Sequence, residues 1–249
     1  VTGSHNPKNY NGFKIVLDRS SLIEKEILLL KKRIENDNFL TGKGKLSNQS
    51  FDQKYIEELN EKIILGKKLK VVLDCGNGAG SVLGPTIFKK FSDELIELFC
   101  KVDGSFPNHH PDPSDPKNLS DLIKAVELHK ADVGIALDGD GDRLGIVDSD
   151  GEIIYPDRYL SLMSKDILKR YKESKIVFDV KCSNQLKRTI EKHKGIPIMT
   201  KTGHSFIKSE IKKNNAILGG EMSGHIFYNE DWYGFDDGIF SGLKLLEIL

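Results

Sequence analysis

Three aspartates at alternate positions, in Asp138-Gly139-Asp140-Gly141-Asp142-Arg143, are the residues of this chain best suited to chemistry. Carboxylates are hard oxygen ligands, and the glycines between them let the backbone curl until alternate side chains converge on one cation. The run begins D-x-D-x-D like an EF-hand calcium loop. Arg143, however, takes the sixth position, which calls for glycine, and Ser149 the twelfth, which calls for glutamate. The run also imitates the aspartyl-nucleophile phosphatases, an apolar strand ending in D-x-D-x-Thr/Val with Asp138 as the attacking group. Asp142 stands at the fifth position of that pattern, and a third carboxylate there favours metal binding. The purely structural alternative is three acidic turn residues in solvent.

A second candidate is Ser4, in Thr2-Gly3-Ser4-His5-Asn6-Pro7. Thr2 and Asn6 occupy the glycine positions of a G-x-S-x-G elbow, so a triad hydrolase is not indicated. On turn statistics such a serine is a turn or cap residue. If it carried phosphate it would add about −1.5 to −2 charge, and near three aspartates that needs a cation. Mg²⁺ suits, since it takes octahedral oxygen ligation and joins carboxylates to phosphate oxygens. Arg143 offers a rigid fork of donors to the same group, or else forms an ordinary ion pair with the loop. A third segment, Gly219-Gly220-Glu221-Met222-Ser223-Gly224-His225, pairs glycines that permit close backbone approach with a carboxylate able to accept bonds from adjacent hydroxyls. Standing alone, Glu221 would be a surface charge and Met222 a core filler.

Together the three segments resemble the phosphoserine, metal and sugar loops of the α-D-phosphohexomutases, most closely the bacterial phosphomannomutase/phosphoglucomutase branch. The stretches VDGSFPNHHPDP, GEIIYPDR, FDVKCS, KTGHSFIK and FDDGI carry the resemblance along the whole chain. It implies that Ser4 bears a transferable phosphate and, with Asp138, Asp140 and Asp142, holds Mg²⁺. It also implies catalytic duties for His5, Lys14, Arg143, His204 and His225, one of Lys14, His204 and His225 handling the hydroxyl proton. Lys201, Gly203, Glu221, Met222 and Ser223 would contact the substrate, Met222 marking the mannose/glucose branch rather than the amino-sugar mutases. The implied activity is interconversion of hexose 1- and 6-phosphates through a 1,6-bisphosphate, with glucose 1,6-bisphosphate as activator. Two alternatives stand beside it: an aspartyl-nucleophile phosphatase, and a non-catalytic metal or sugar-phosphate binding fragment.

These residues must be positioned by the surrounding elements. GFKIVLD reads as a strand, followed by a helix whose stripe Ile23, Ile27, Leu30 and Ile34 reads as a core face. Residues 38–50 lack periodicity and mark a boundary. A helix with Ile56, Leu59 and Ile63 on one face, the strand LKVVLD, a glycine turn from Cys75 to Ser81, the strand ELIELF, a helix over 119–129 and the strand ending at Leu137 come next. The turn is not a dinucleotide fingerprint, because Ser81 takes the last glycine position, and no Gly-Lys is followed by Ser or Thr as a Walker A sequence requires. After Tyr155 come a helix over 157–171, KIVFDV, a helix to Lys194, IPIMT, a helix to Asn214, AILGG and a closing helix to Leu249. This alternation predicts an α/β protein with mainly parallel sheets and ligands at the carboxyl ends of the strands. The resemblance makes it tandem α/β/α layer domains with mixed sheets around a central active-site cleft. Residues 1–50 would be the end of a first domain with the serine loop, 51–153 a second with the metal loop, and 154–249 a third with the sugar loop.

With 38% apolar and 30% charged residues the composition is that of a globular protein. Lys+Arg and Asp+Glu are equal at 37 each, which leaves no basic field for nucleic acid or an anionic membrane and makes a small molecule the expected partner. Three cysteines without C-x-x-C spacing indicate neither a disulfide framework nor a cysteine zinc site and fit a reducing cytoplasm. No run approaches the roughly 18–20 apolar residues of a membrane span, and no signal peptide opens the chain. With Ser4 so near its start, the chain reads as an internal fragment whose partners include the missing N- and C-terminal parts of the same polypeptide.

Overall fold

A computed structural model describes the chain from Gly3 to Leu249, apart from His5, Lys14, Asp18, Arg19 and Ile23. The strand expected over GFKIVLD is short: β1 (Val16–Leu17) pairs only with β2 (Ser20–Ser21) in an antiparallel hairpin. Helix α1 (Glu24–Glu35) follows, but its stripe is not a core face. Ile27, Leu30 and Ile34 are 52%, 37% and 63% exposed. Helical periodicity reports that a face is apolar and not what covers it, and here, among the described residues, only Leu17 and Leu22 of the neighbouring hairpin approach it, lining an open groove with Leu29 and Leu30. Residues 39–51 carry neither helix nor strand.

The next layer begins with α2 (Asp52–Lys62) and β3 (Leu69–Asp74), runs through a 3-10 turn at Ala79–Ser81 into α3 (Gly84–Phe91), and continues with β4 (Ser92–Leu98), α4 (Ser120–His129), β5 (Val133–Leu137), β6 (Leu144–Asp148) and β7 (Ile153–Ile154). The sheet order is β4-β3-β5-β6-β7, with β3 parallel to β4 and β5, and β6 antiparallel to both its neighbours. The second layer repeats the plan: α5 (Pro156–Arg170), β8 (Lys175–Asp179), α6 (Asn184–Lys192), β9 (Ile196–Thr200), α7 (His204–Asn214), β10 (Leu218–Gly220), β11 (Ile226–Tyr228) and α8 (Gly238–Ile248). Its order is β11-β10-β8-β9, again two parallel pairs and then an antiparallel return. The sheets are therefore mixed, as the resemblance implied, with β6 and β11 each reversed among strands that otherwise run the same way. The reason is the length of two connections. Residues 138–143 and 221–225 are too short for the crossover of a dozen or more residues that a parallel pair needs, so each chain end turns straight back as a hairpin. Both candidate loops are these hairpin turns.

The two layers share one core. Leu73, Ile135 and Leu137 of the first sheet lie in the same buried cluster as Ile176, Phe178 and Leu218 of the second, together with Phe240, Leu243 and Leu246 of α8. A Cβ on Gly242 of α8 would sit 2.9 Å from Phe88, so the helix rests directly on the first layer. Each fully buried Leu or Phe contributes about 1.5–3 kcal/mol, which binds the layers and the loops between them. A buried polar node adds to this. Asp237 caps α8 through the N–H of Phe240 and accepts from the Tyr55 hydroxyl of α2 and from Trp232 Nε1. Burial raises the Asp237 carboxyl above its ordinary range, against the hydrogen bonds from Phe240, Tyr55 and Trp232. Among the described residues no helix is long and apolar enough to cross a membrane.

Candidate metal and phosphate site

Strand β5 delivers Asp138, with no exposed surface, to the base of the acidic loop. Its Oδ1 accepts the backbone N–H groups of Gly141, Asp142 and Arg143 at 3.0, 3.0 and 3.1 Å, which curls the loop around one oxygen. Its Oδ2 accepts from Arg143 Nε at 2.9 Å and from the hydroxyl of Ser4 at 3.1 Å. Burial, then the charge of Asp142, pushes the Asp138 carboxyl up to about 6 against the pull of Arg143. Ser4 reaches this place with its backbone in the left-handed region, φ 52°. Oxygens of Asp138, Asp140 and Asp142 all lie within 4.8 Å of one another. Three carboxylates beside a hydroxyl are the all-oxygen donor set that Mg²⁺ prefers, so the residues present fit that ion.

The glycine turn after β3 supports the loop from below. Ala79 donates its N–H to the Gly139 carbonyl at 2.9 Å, and a Cβ on Gly78 would lie 2.6 Å from that same oxygen. Only glycine allows the two backbones so close. Arg143 differs from the open fork expected of it: the residue is 6% exposed, with Nε on Asp138 and Nη1 on Asp112 at 2.9 Å.

The hairpin from β10 to β11 places the second loop beside the first. Leu144 donates its N–H to the Gly224 carbonyl, and Arg143 and His225 form an antiparallel bridge. Glu221 is buried. Its Oε1 accepts from Ser223 Oγ and lies 2.6 Å from His225 Nδ1, and its Oε2 accepts the Gly203 N–H at 2.9 Å. Burial alone would raise this carboxyl, but His225, Ser223 and Gly203 outweigh it and hold it at about 2. Burial would likewise lower the His225 imidazole, but Asp142, 3.2 Å from Nε2, and Glu221 lift it to about 9. His204 opens α7 with Nδ1 4.0 Å from Asp236 Oδ2 and its ring 5.8 Å from that of His225. Met222 packs half-buried against the core.

Of the residues singled out in the sequence, the structure brings together Ser4, Asp138, Asp140, Asp142, Arg143, Glu221, Ser223, His225 and, at the edge, His204. Gly203 enters through its N–H alone. Lys201 is exposed, with its ammonium 5.9 Å over the Phe206 ring, and touches none of the carboxylates above. His5 and Lys14 lie outside the described residues. Sequence reasoning missed Asp112, which holds Arg143, and Asp236, whose Oδ1 takes the Lys208 ammonium at 2.6 Å. It also missed the pair of buried Asp74 with His109 Nε2, 2.9 Å apart. All of these sat inside segments already quoted, His109 and Asp112 in VDGSFPNHHPDP, Asp74 at the end of LKVVLD and Asp236 in FDDGI, and an Asp-Asp before Gly-Ile-Phe is a helix-cap signature.

Comparison with known proteins fits this architecture. The family model for alpha/beta/alpha domain II of phosphoglucomutase/phosphomannomutase matches residues 53–151, and that for domain III matches 155–249. The chain belongs to the phosphoglucomutase/phosphomannomutase family. Among its relatives is a phosphomannomutase/phosphoglucomutase of Pseudomonas syringae, 51% identical over all 249 residues, which cover 54% of that protein. A phosphoglucomutase of Neisseria meningitidis is 49% identical over 251 aligned positions, all of this chain and 55% of the relative. A crystal structure of a phosphoglucomutase/phosphomannomutase family protein from Burkholderia thailandensis superposes with a TM-score of 0.96 at 47% identity, over 99% of this chain and 54% of that one. The chain thus spans about half the length of the curated relatives it matches.

Proposed function

We propose that the protein of which this chain is part is a phosphohexomutase that interconverts the 1- and 6-phosphates of glucose and mannose through a phosphoserine at Ser4. The observation that carries this reading is the Ser4 hydroxyl donating to Asp138 across 134 residues of sequence separation, at the mouth of a three-carboxylate loop. In this reading 1–50 carry the serine loop, 51–153 the metal loop and 154–249 the sugar loop.

Phosphoserine would give its phosphoryl group to the free hydroxyl of a bound hexose monophosphate. The bond from phosphorus to Ser4 Oγ breaks, a bond to the sugar oxygen forms, and the hydroxyl proton passes by way of a base to the Ser4 oxygen. The 1,6-bisphosphate then turns over and returns its other phosphate to Ser4, and glucose 1,6-bisphosphate would prime an unphosphorylated chain. Mg²⁺ bound to Ser4, Asp138, Asp140 and Asp142 would neutralise charge on the transferring group. Arg143, fixed between Asp138 and Asp112, orients the carboxylates. Glu221 and Ser223, with Met222 and the backbone of Gly203, would meet the ring hydroxyls, and Lys201 a phosphate. The base is one of Lys14, His204 and His225, with His5 beside the serine. Of the two described, His204 has the more open side chain, 44% exposed against 15% for His225.

The phosphatase alternative needs Asp138 as a nucleophile. Both its oxygens already accept hydrogen bonds and the side chain has no exposed surface, which argues against attack on a substrate. The binding-fragment alternative bears on this stretch alone, which as half the length of its relatives would turn over poorly. The remainder of the polypeptide is the partner we assign to the exposed face of α1, and three cysteines, odd in number and without C-x-x-C spacing, favour a cytoplasmic setting. In the full-length protein Ser4→Ala should abolish interconversion of glucose 1- and 6-phosphate while calorimetric binding of glucose 1-phosphate persists. Substantial steady-state turnover by that variant refutes the phosphoserine.

A further inference from the structure

A second group of metal-ligating atoms adjoins the three-aspartate loop: His225 Nε2 with one carboxylate oxygen each from Asp142 and Asp236, all within 4.8 Å. We propose that His225, Asp142 and Asp236 form a separate site for a borderline-soft divalent cation of the Zn²⁺ type, sharing Asp142 with the carboxylate loop. The donor set differs in kind from its neighbour. Imidazole with two carboxylates suits Zn²⁺, whereas Mg²⁺ favours oxygen alone.

Three features of the chain support the site. His225 Nε2 stands 3.2 Å from Asp142 Oδ1 and 3.9 Å from Asp236 Oδ2. Two ligands bound to zinc at about 2.1 Å on a tetrahedron lie about 3.4 Å apart, so small adjustments close the group. The other ring nitrogen of His225 is held on Glu221 at 2.6 Å. A carboxylate behind a histidine fixes the ring and makes its outer nitrogen more basic, the support that zinc-bound histidines generally have. Finally, Asp236 is 9% exposed, and its Oδ2 is buried without a hydrogen-bond partner among the described residues, 3.9 Å from His225 Nε2 and 4.0 Å from His204 Nδ1. Leaving such an oxygen unsatisfied is costly, and a cation would satisfy it. Lys208 occupies Asp236 Oδ1, and its positive charge works against a second cation, though three carboxylates, Glu221, Asp142 and Asp236, surround the imidazole.

The inference does not rest on the mutase reading, since it needs only these side chains. The test is a Zn²⁺ titration of the protein against a chromophoric chelator in saturating Mg²⁺, with X-ray absorption on the zinc-loaded sample. The protein should retain one Zn²⁺ that Mg²⁺ does not displace, with an imidazole nitrogen among its ligands. Asp236→Asn and His225→Gln should each weaken it by about 10-fold or more, while Asp140→Asn, which alters only the neighbouring group, changes it by less than about threefold. If Asp236→Asn does not fold, Lys208→Met decides. It keeps every ligand and removes the opposing charge, so tighter Zn²⁺ supports the site and unchanged or weaker binding overturns it. Zinc fully displaced by Mg²⁺, or lost in Asp140→Asn and kept in Asp236→Asn, also overturns it.

Discussion

Replacing Gly78 by Ala tests how the glycine turn holds the acidic loop. Gly78 has φ −83°, which any residue adopts, so the backbone itself does not require glycine. On that ground alone alanine would stabilise by about 0.4–1 kcal/mol, by restricting the unfolded chain. The contacts reverse the sign. The added Cβ would meet Gly139 O at 2.6 Å, Gly139 Cα at 2.9 Å and Asp138 O at 3.0 Å, all backbone atoms that no rotamer change can move. The turn and the loop must therefore separate, straining the bond from Ala79 N–H to Gly139 O and shifting Asp138 itself. Overpacking of this kind costs about 1–3 kcal/mol, leaving a net loss of about 1.3 kcal/mol between the midpoints of the two ranges, or roughly 3–5 °C in Tm for a chain of this size. The Mg²⁺ titration should weaken as well, because the displaced atoms carry the ligands. Gly66→Ala, with nothing within 4 Å of its Cβ, is the control and should leave Mg²⁺ affinity unchanged while stability stays level or rises by about 0.4–1 kcal/mol. Urea unfolding and calorimetric Mg²⁺ binding measure both effects, and a Gly78→Ala protein as stable as the parent with unaltered Mg²⁺ affinity refutes the reasoning.

Two further substitutions probe the supports. Asp237→Ala leaves the Tyr55 hydroxyl, the Trp232 N–H and the Phe240 N–H without their acceptor, at about 1–3 kcal/mol for each buried group. We expect a loss of at least about 3 kcal/mol in urea unfolding, with Asp237→Asn, which keeps one acceptor oxygen, losing clearly less; equal losses would discount the node. His109 is raised above 6.5 by its bond to Asp74, against its burial. A raised histidine contributes stability that is fully present below the unfolded value and fades as pH rises through the folded one. The stability gap between the parent and His109→Gln should accordingly be wider at about pH 5.5 than at about pH 9, and a gap independent of pH excludes the charged pair.

Much of the site was legible because its chemistry is local. Asp138, Asp140 and Asp142 lie within five residues, and Arg143 and Ser149 at the sixth and twelfth positions excluded the calcium loop. The alternation of apolar strands and amphipathic helices likewise located strands β3 to β5 and β8 to β10 and helices α2 and α4 to α8. What escaped depends on contacts between distant segments. Nothing in the periodicity near Asp112 or Asp236 announces Arg143 or His225 as a neighbour, because sheet topology creates those pairs. Strands β6 and β11 were not placed as antiparallel returns, since a strand leaving an acidic or glycine-rich loop has the same apolar pattern whichever way it runs. The apolar stripe of α1 was read as buried for a related reason: the pattern specifies a covered face without saying which segment covers it.

The central claim is that Ser4 carries the phosphate that is transferred. Intact mass of the full-length protein after incubation with glucose 1,6-bisphosphate and Mg²⁺, followed by peptide mapping, tests it directly. The account predicts a gain of one phosphoryl group on Ser4, stable to hydroxylamine, absent from Ser4→Ala and, when that group is isotopically labelled, passed to glucose 6-phosphate when unlabelled glucose 1-phosphate is added. A hydroxylamine-labile phosphate on Asp138, or no phosphate on a protein that still interconverts the sugar phosphates, would contradict it.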